Sequence, residues 1–267
     1  MHNEPSRLSR LLVFLEYDPG NLPLRRDVIH EARSLHHLGR RAEAIDALQA
    51  HPEVMADDAE ANGVLGLLLY DEGRAQEARE HVDAALAREP TQIEALLTLA
   101  SMQSDALDLE AARASFDAIV RAEPNCGRAW LGLALLNLRE LRFEPARRDA
   151  TEAAIHLSEH IGTWHVLAWA NILFGDLDGA KAALEKALGV DRNFAETHGG
   201  LAVVAALQGR EPDAQGFMRR ALRLHPQSLA AKLAEVVLVR RAGRDAEAKR
   251  LLESLLSQPL PGRVRVR

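Results

Sequence analysis

Residues Ala59–Gln92 read AEANGVLGLLLYDEGRAQEAREHVDAALAREPTQ. Apolar residues recur in them at helical spacing on both sides of Asp71-Glu72-Gly73-Arg74, which predicts two amphipathic helices joined by a tight turn. The stretch is 34 residues long, and sliding it by its own length keeps meeting the same chemistry. Ala44, Ala78, Ala112, Ala146, Ala180, Ala214 and Ala248 stand in one register. Ala32, Gly66, Ala100, Ala134, Ala168, Ala202 and Val236 stand in a second. A fixed period in this range marks a stack of identical supersecondary units, each burying its apolar face against its neighbours.

Counting from Arg25 gives seven units without a gap: 25–58, 59–92, 93–126, 127–160, 161–194, 195–228 and 229–262. In each, the first helix is expected over about fourteen positions. The turn has its key residue at position 15, and the second helix runs to about position 31. Position 15 is Gly39, Gly73, Gly175, Gly209 or Gly243 in five units. Glycine there permits the left-handed backbone that ends a helix. Leu107 and Leu141 stand at the same position in units three and four, where positive φ is costly, so these two turns are expected to take another form. Pro90, Pro124 and Pro226 stop the second helices of their units. Residues 1–24 precede the array. Leu8, Leu11, Leu12 and Leu15 predict a short covering helix over 7–16 there, followed by a turn at Asp18-Pro19-Gly20-Asn21. A basic tail, 263–267, follows the array.

Certain units match a known pattern closely. The fourth carries Trp130, Leu133, Ala134, Ala146 and Ala153. The fifth carries Trp164, Leu167, Ala168, Gly175, Ala180 and Ala187, and the sixth Leu201, Ala202, Gly209, Ala214, Ala221 and Pro226. At these spacings the chain resembles the tetratricopeptide repeat family, and the shared register runs through nearly all of it. The resemblance implies an all-α protein, a right-handed α-solenoid of about seven helix-turn-helix repeats. It implies a non-enzymatic scaffold or adaptor that binds a peptide or an amphipathic helix of a partner protein in a concave groove. A regulatory or accessory module of an enzyme, or of a secretion or assembly complex, is the alternative use. A helical-repeat RNA-binding protein is a third.

Composition narrows these classes. The net charge is −6 and the pI about 6.0, without the basic footprint of a nucleic-acid binder. Aromatic residues are only 4%, so the core must be built from Leu, Ala and Val. Cys126 is the single cysteine, which excludes an intramolecular disulfide. The apolar run Leu11–Leu15 is short for a secretory leader, and no stretch is long enough to span a bilayer. The expectation is a cytoplasmic protein without membrane insertion.

Chemistry-bearing motifs are few. Phosphate loops, dinucleotide fingerprints, paired C-x-x-C and H-E-x-x-H motifs are missing from the sequence, so neither a cofactor nor a metal is expected. His156 and His160 are four apart but straddle a unit boundary, which favours a surface pair over a metal site. His198-Gly199-Gly200 falls inside a first helix with no nucleophile elbow, which favours helix packing over an oxyanion turn.

The resemblance places the first helices on the inner wall. Positions 2, 5, 9 and 12 then share one face. The family's peptide-carboxylate clamp needs asparagines at positions 6 and 9, and none is present, so that function does not carry over. Arg33, Glu60, Tyr70 and Glu94 make the wall of the early repeats polar or mixed, whereas that of the later repeats is apolar. The expected partner surface is Leu131, Leu135, Leu138, His165, Trp169, Ile172, Val203 and Val237, centred on Trp169. The same positions also touch the next first helix, so internal packing is the competing reading. The chain's own tail, through Leu260, Val264 and Val266, is a competing occupant and a route to self-association.

Overall fold

The computed structural model describes residues 22–257, which hold fifteen α-helices and no strand. The expected helix over 7–16, the basic tail 263–267 and the residues Leu260, Val264 and Val266 lie outside them. The described chain divides into an N-terminal unit ending at Pro124 and a C-terminal unit beginning at Asn125.

The N-terminal unit holds α1 (Leu22–His37), α2 (Arg41–Gln49), α3 (Pro52–Asp57), α4 (Ala59–Asp71), α5 (Ala75–Arg88), α6 (Ile93–Asp105) and α7 (Leu109–Ala122). The C-terminal unit holds α8 (Gly127–Arg139), α9 (Phe143–His156), α10 (Ile161–Phe174), α11 (Leu177–Val190), α12 (Ala195–Leu207), α13 (Glu211–Leu224), α14 (Leu229–Arg241) and α15 (Asp245–Leu256). Each first helix packs on the second helix of its own repeat, and within each unit the next first helix packs alongside. One element departs from the expected pattern. The second helix of the first repeat does not reach position 31. It stops at Gln49, and Pro52 opens the separate short helix α3. Proline has no N–H to continue a helix but fits the first turn of a new one.

Small residues explain the close packing. Ala44, Ala78, Ala112, Ala146, Ala180 and Ala214 are fully buried, as are Ala32, Ala100, Ala134 and Ala202. At Gly66 an added Cβ would meet the Val82 side chain at 2.9 Å and the Ala78 carbonyl at 3.3 Å. A larger residue in either register would force the paired helices apart. Leu48, Val82, Phe116 and Leu184, one turn further on, fill the space between repeats.

All seven turns take one form, which corrects the expectation for units three and four. Leu107 (φ 63°) and Leu141 (φ 58°) adopt the same left-handed backbone as the five glycines. In every turn the position-15 amide donates to the carbonyl three residues back, and the following amide to the carbonyl five back. Examples are Gly73–Tyr70 at 2.9 Å with Arg74–Leu69 at 2.9 Å, and Leu141–Leu138 at 3.1 Å with Arg142–Asn137 at 2.8 Å. These two bonds satisfy carbonyls that the helix end would leave unpaired. They offset the ~1–2 kcal/mol penalty of a left-handed leucine, whose side chain points into solvent at both positions.

Candidate functional site

In the N-terminal unit the first-helix wall pairs its polar groups with one another. Arg33 on α1 donates to Glu60 on α4 at 2.5 Å and also to Glu94 on α6, so one guanidinium ties three first helices. Burial alone would raise the Glu94 carboxyl, but the Arg33 charge and hydrogen bond outweigh it and hold Glu94 below the usual range. A second row sits one helix turn further along. His36 meets Asp71 at 3.2 Å, and the Tyr70 hydroxyl donates to Asp105 at 2.6 Å. Burial first, then the Asp105 carboxylate, pushes the Tyr70 phenol well above its ordinary value.

The C-terminal unit is built differently. Helix α12 is buried from Thr197 to Ala206, on every face. Gly199 explains how its neighbour comes so close. A Cβ there would sit 2.7 Å from both the Ala230 Cβ and the Ala231 backbone nitrogen of α14. His198-Gly199-Gly200 is therefore a packing feature, as expected. The His198 ring is buried, with Nε2 2.9 Å from the Arg192 carbonyl oxygen and 3.0 Å from Arg220 Nε. Trp169 on α10 and Leu233 on α14 both pack against the cluster of Ala202, Val203 and Ala234, in which Val203 is 1% exposed.

Outside this seam lies a pocket of about 670 Å³. Its apolar lining is Trp169, Phe194, Leu229, Ala230, Leu233, Leu255 and Leu256, and its polar margin is His165, Glu196, His225 and Gln227. Phe194 is the residue before α12, where a side chain normally caps the helix. Asp58, Gln92 and Ser228 do this at the same register position, each accepting from the amide three residues on, whereas Cys126 and His160 there do not. Phe194 makes no cap hydrogen bond. Its ring instead stands edge-on to His165, with centroids 5.3 Å apart, and remains 38% exposed. Losing a polar cap costs about 1 kcal/mol, and here the position is given over to the pocket wall. Glu196 makes a cap across the repeat boundary: its two oxygens accept from the Leu229 and Ala230 amides at 3.0 and 2.9 Å. This holds the start of α14 at the rim. His165 hydrogen-bonds Thr197 Oγ1 through Nε2 at 2.8 Å. Burial holds its pKa below the ordinary histidine value, against the opposing pull of Glu196.

The expected wall residues meet different fates. His165 and Trp169 line the pocket, and Trp169 is half-buried. Ile172 packs against the Ala202, Val203 and Ala234 cluster and against the core around Ala168, Leu184 and Val204. Val203 is sealed inside a cluster against which Trp169, Leu233, Phe217 and Met218 pack. Val237 is half-buried against Ala205, Ala206 and Ala214. Leu131, Leu135 and Leu138 lie on α8 and do not line the pocket, although Leu135 is 45% exposed. Phe194, Leu229, Leu255 and Leu256 were not expected in the wall. The signal for Phe194 was in the sequence, as an aromatic residue at the capping position. Leu255 and Leu256 sit on a second helix, and only the three-dimensional path of α15 brings them to the rim.

No helix of the described residues is long and apolar enough to cross a membrane, and none of their His, Cys, Asp and Glu side chains form a group of three able to hold a metal.

Stacked helical hairpins with a shared small-residue register define a helical-repeat protein. Two tetratricopeptide repeat models match the chain, one over residues 69–137 and the other over 30–93 and 167–228, together most of its length. The chain belongs to the tetratricopeptide repeat family. Its fold is similar to that of PilF from Pseudomonas aeruginosa (TM-score 0.60, 18% identity, covering 74% of this chain and 90% of that one). It is also similar to a tetratricopeptide repeat protein from Parabacteroides merdae (TM-score 0.58, 14% identity, 90% and 95%). A third similar structure is the anaphase-promoting-complex assembly Cut9–Hcn1 (TM-score 0.68, 15% identity, 82% and 43%). No curated protein sequence matches this chain.

Proposed function

We propose that this protein is a non-enzymatic cytoplasmic scaffold that holds an apolar peptide or helix of a protein partner on the first-helix wall of its C-terminal unit. The observation that carries the reading is the pocket around Trp169. Its lining is mostly apolar, yet the Phe194 ring is 38% exposed and Leu256 is 75% exposed. A contiguous exposed apolar surface beside a large aromatic is the usual anatomy of an interaction site. In the N-terminal unit the wall's polar groups are paired with one another, so a ligand there would displace existing bonds. Self-association through the tail is a further use of the same wall.

Peptides selected by display against the full chain provide the test. They should be rich in Leu, Ile, Phe or Val. Phe194→Asp, which alters an exposed side chain, should weaken their binding at least tenfold while the far-UV CD spectrum stays helical. Selected peptides that bind Phe194→Asp as well as the parent chain would place the interaction elsewhere.

A further inference from the structure

Away from the first-helix wall, one second helix breaks a charge order that most of the others keep. Register positions 21 and 25 are one helical turn apart, so their side chains are neighbours on the surface of each second helix. In units two, three, five and seven a base at position 21 precedes an acid at position 25: Arg79 and Asp83, Arg113 and Asp117, Lys181 and Glu185, Lys249 and Glu253. Arg79 meets Asp83, and Lys181 meets Glu185, each at 2.8 Å. On α13, in unit six, the same two positions hold Gln215 and Arg219. A guanidinium stands where four other units place a carboxylate.

The helix offers this guanidinium no substitute partner. Glu211 accepts from the Gln215 amide at 3.0 Å, and Asp213 accepts from Arg210 at 2.8 Å. Arg219, Arg220 and Arg223 have no ion-pair partner among the described residues. All three are exposed, within five residues of one helix face. The Arg220 Nε–H is directed at His198 Nε2, 3.0 Å away, which fixes its stem and leaves the two Nη groups outermost. Arg219 and Arg223 border a shallow cleft of about 470 Å³ that is otherwise lined by Gly216 and Leu222. The cleft is open at Gly216, where an added Cβ would meet nothing within 4 Å. Like charges four residues apart oppose the helix that carries them. An anion bound between them relieves that repulsion.

The register says which anion. A carboxylate is the group that this position holds in the other units, and in unit six it has to come from another molecule. Spacing agrees. Arg219 and Arg223 are separated by about 6 Å along the helix axis. Carboxylates two residues apart in an extended segment are separated by about 6.6 Å, and those four apart on a helix by about 6 Å. Guanidinium and carboxylate are matched in shape, with two parallel hydrogen bonds per pair. Nucleic acid fits less well, because its binders carry an extended basic surface and this chain has a net charge of −6.

We infer that the exposed face of α13 is a second docking surface, at which Arg219, Arg220 and Arg223 bind a Glu- or Asp-rich segment of a protein partner beside Leu222. It is independent of the pocket around Trp169, which carries no part of the argument.

The test uses the full chain and a fluorescent acetyl-EELEELEE-amide peptide, followed by anisotropy at low ionic strength. The peptide should bind at least tenfold more tightly than its QQLQQLQQ counterpart, and more weakly as salt rises. Gln215→Arg/Arg219→Asp restores the base-then-acid order of the other units and supplies a carboxylate from the chain itself. It should weaken the acidic peptide at least tenfold while the far-UV CD spectrum stays helical, and the milder Arg223→Gln should weaken it at least threefold. Arg240→Gln lowers the net charge as much as the double change does, but on a first helix, and should alter binding less than twofold. Equal loss in Arg240→Gln and the double variant would reveal unspecific attraction and overturn the inference. Equal binding of the two peptides, or of neither, would overturn it as well. So would a single-stranded oligonucleotide of equal charge that binds more tightly than the peptide and is lost in the double variant, because the site would then read phosphates. Trp169→Glu should leave the acidic peptide bound, and its loss from a folded Trp169→Glu chain would put the peptide on the first-helix wall and remove the second surface.

Discussion

The two units share a scaffold and differ in what they place on it. Both keep buried alanines in the same two registers, and both close every helical hairpin with the same pair of turn hydrogen bonds. On the wall of the N-terminal unit, Arg33, Glu60, Glu94, Tyr70 and Asp105 pair with one another. On the wall of the C-terminal unit, Trp169, Phe194 and Leu233 meet around a pocket whose lining is mostly apolar. The packing positions make the fold, and the wall positions are free to decide whether a repeat closes its own surface or offers it. A satisfied polar ladder adds cohesion between repeats, whereas an apolar wall stays available to a ligand.

The largest effect should come from the seam that makes the second wall possible. Gly199→Leu would drive a side chain into the α14 backbone and should destabilise the last two repeats by about 3 kcal/mol or more. Amide exchange should accelerate in α12–α15 while α4–α7 keep their protection, because such arrays are stabilised by nearest neighbours. Gly63→Ala is the matched change in the N-terminal unit. There the new Cβ meets the end of the Gln92 side chain, which can swing away at the loss of its cap on α6, about 1 kcal/mol. Equal losses for the two would erase this contrast.

Trp169→Ala should come next. A fully buried tryptophan would cost about 3–5 kcal/mol. Trp169 is half-buried, with one face on the Val203 seam and the other on the pocket, so a loss of about 2 kcal/mol is expected in denaturant unfolding. Tyr70→Phe should cost about 1 kcal/mol through the lost bond to Asp105. In the parent chain, the Tyr70 phenol should titrate above the ordinary tyrosine range in ultraviolet absorbance.

The smallest effects are in pH dependence. Burial depresses His81 in the N-terminal unit and His165 in the C-terminal unit. The unfolded chain therefore binds protons more readily than the fold does. The stability each contributes is present above the unfolded value near 6.5, and is lost as pH falls from there to the depressed folded value. Histidine NMR titrations should show both with midpoints below 6.5. The N-terminal unit should show a further step at lower pH. Glu94 is held below 4.5, so its stabilisation is present above that value and lost as pH falls through the depressed one. A Glu94 carboxyl that titrates at or above 4.5 in NMR would contradict this.

The repeat architecture was legible in the sequence because backbone approach leaves no choice of residue. Alanine or glycine fills the two packing registers everywhere except at Val236 in the last repeat, so the period is written in small residues. Leu107 and Leu141 misled because the turn is held by backbone hydrogen bonds and tolerates an exposed side chain at modest cost. The wall was half legible. Trp169 stood out at a face position, but the burial of Val203 depended on how far Trp169 and Leu233 reach across small neighbours. The positions of Leu255 and Leu256 depended on where a second helix ends in space, which periodicity does not encode. Phe194 was readable in principle, as an aromatic residue at a position where Asp58, Gln92 and Ser228 cap their helices.

The most direct test of the account compares one substitution in each wall, with peptides selected on the full chain as the probe. Trp169→Glu and Tyr70→Glu each place a carboxylate on a first-helix wall, and CD establishes that both variants remain helical. The account predicts that Trp169→Glu weakens peptide binding by a hundredfold or more, while Tyr70→Glu changes it less than twofold. Unchanged binding to a folded Trp169→Glu variant, with loss in Tyr70→Glu, would contradict it.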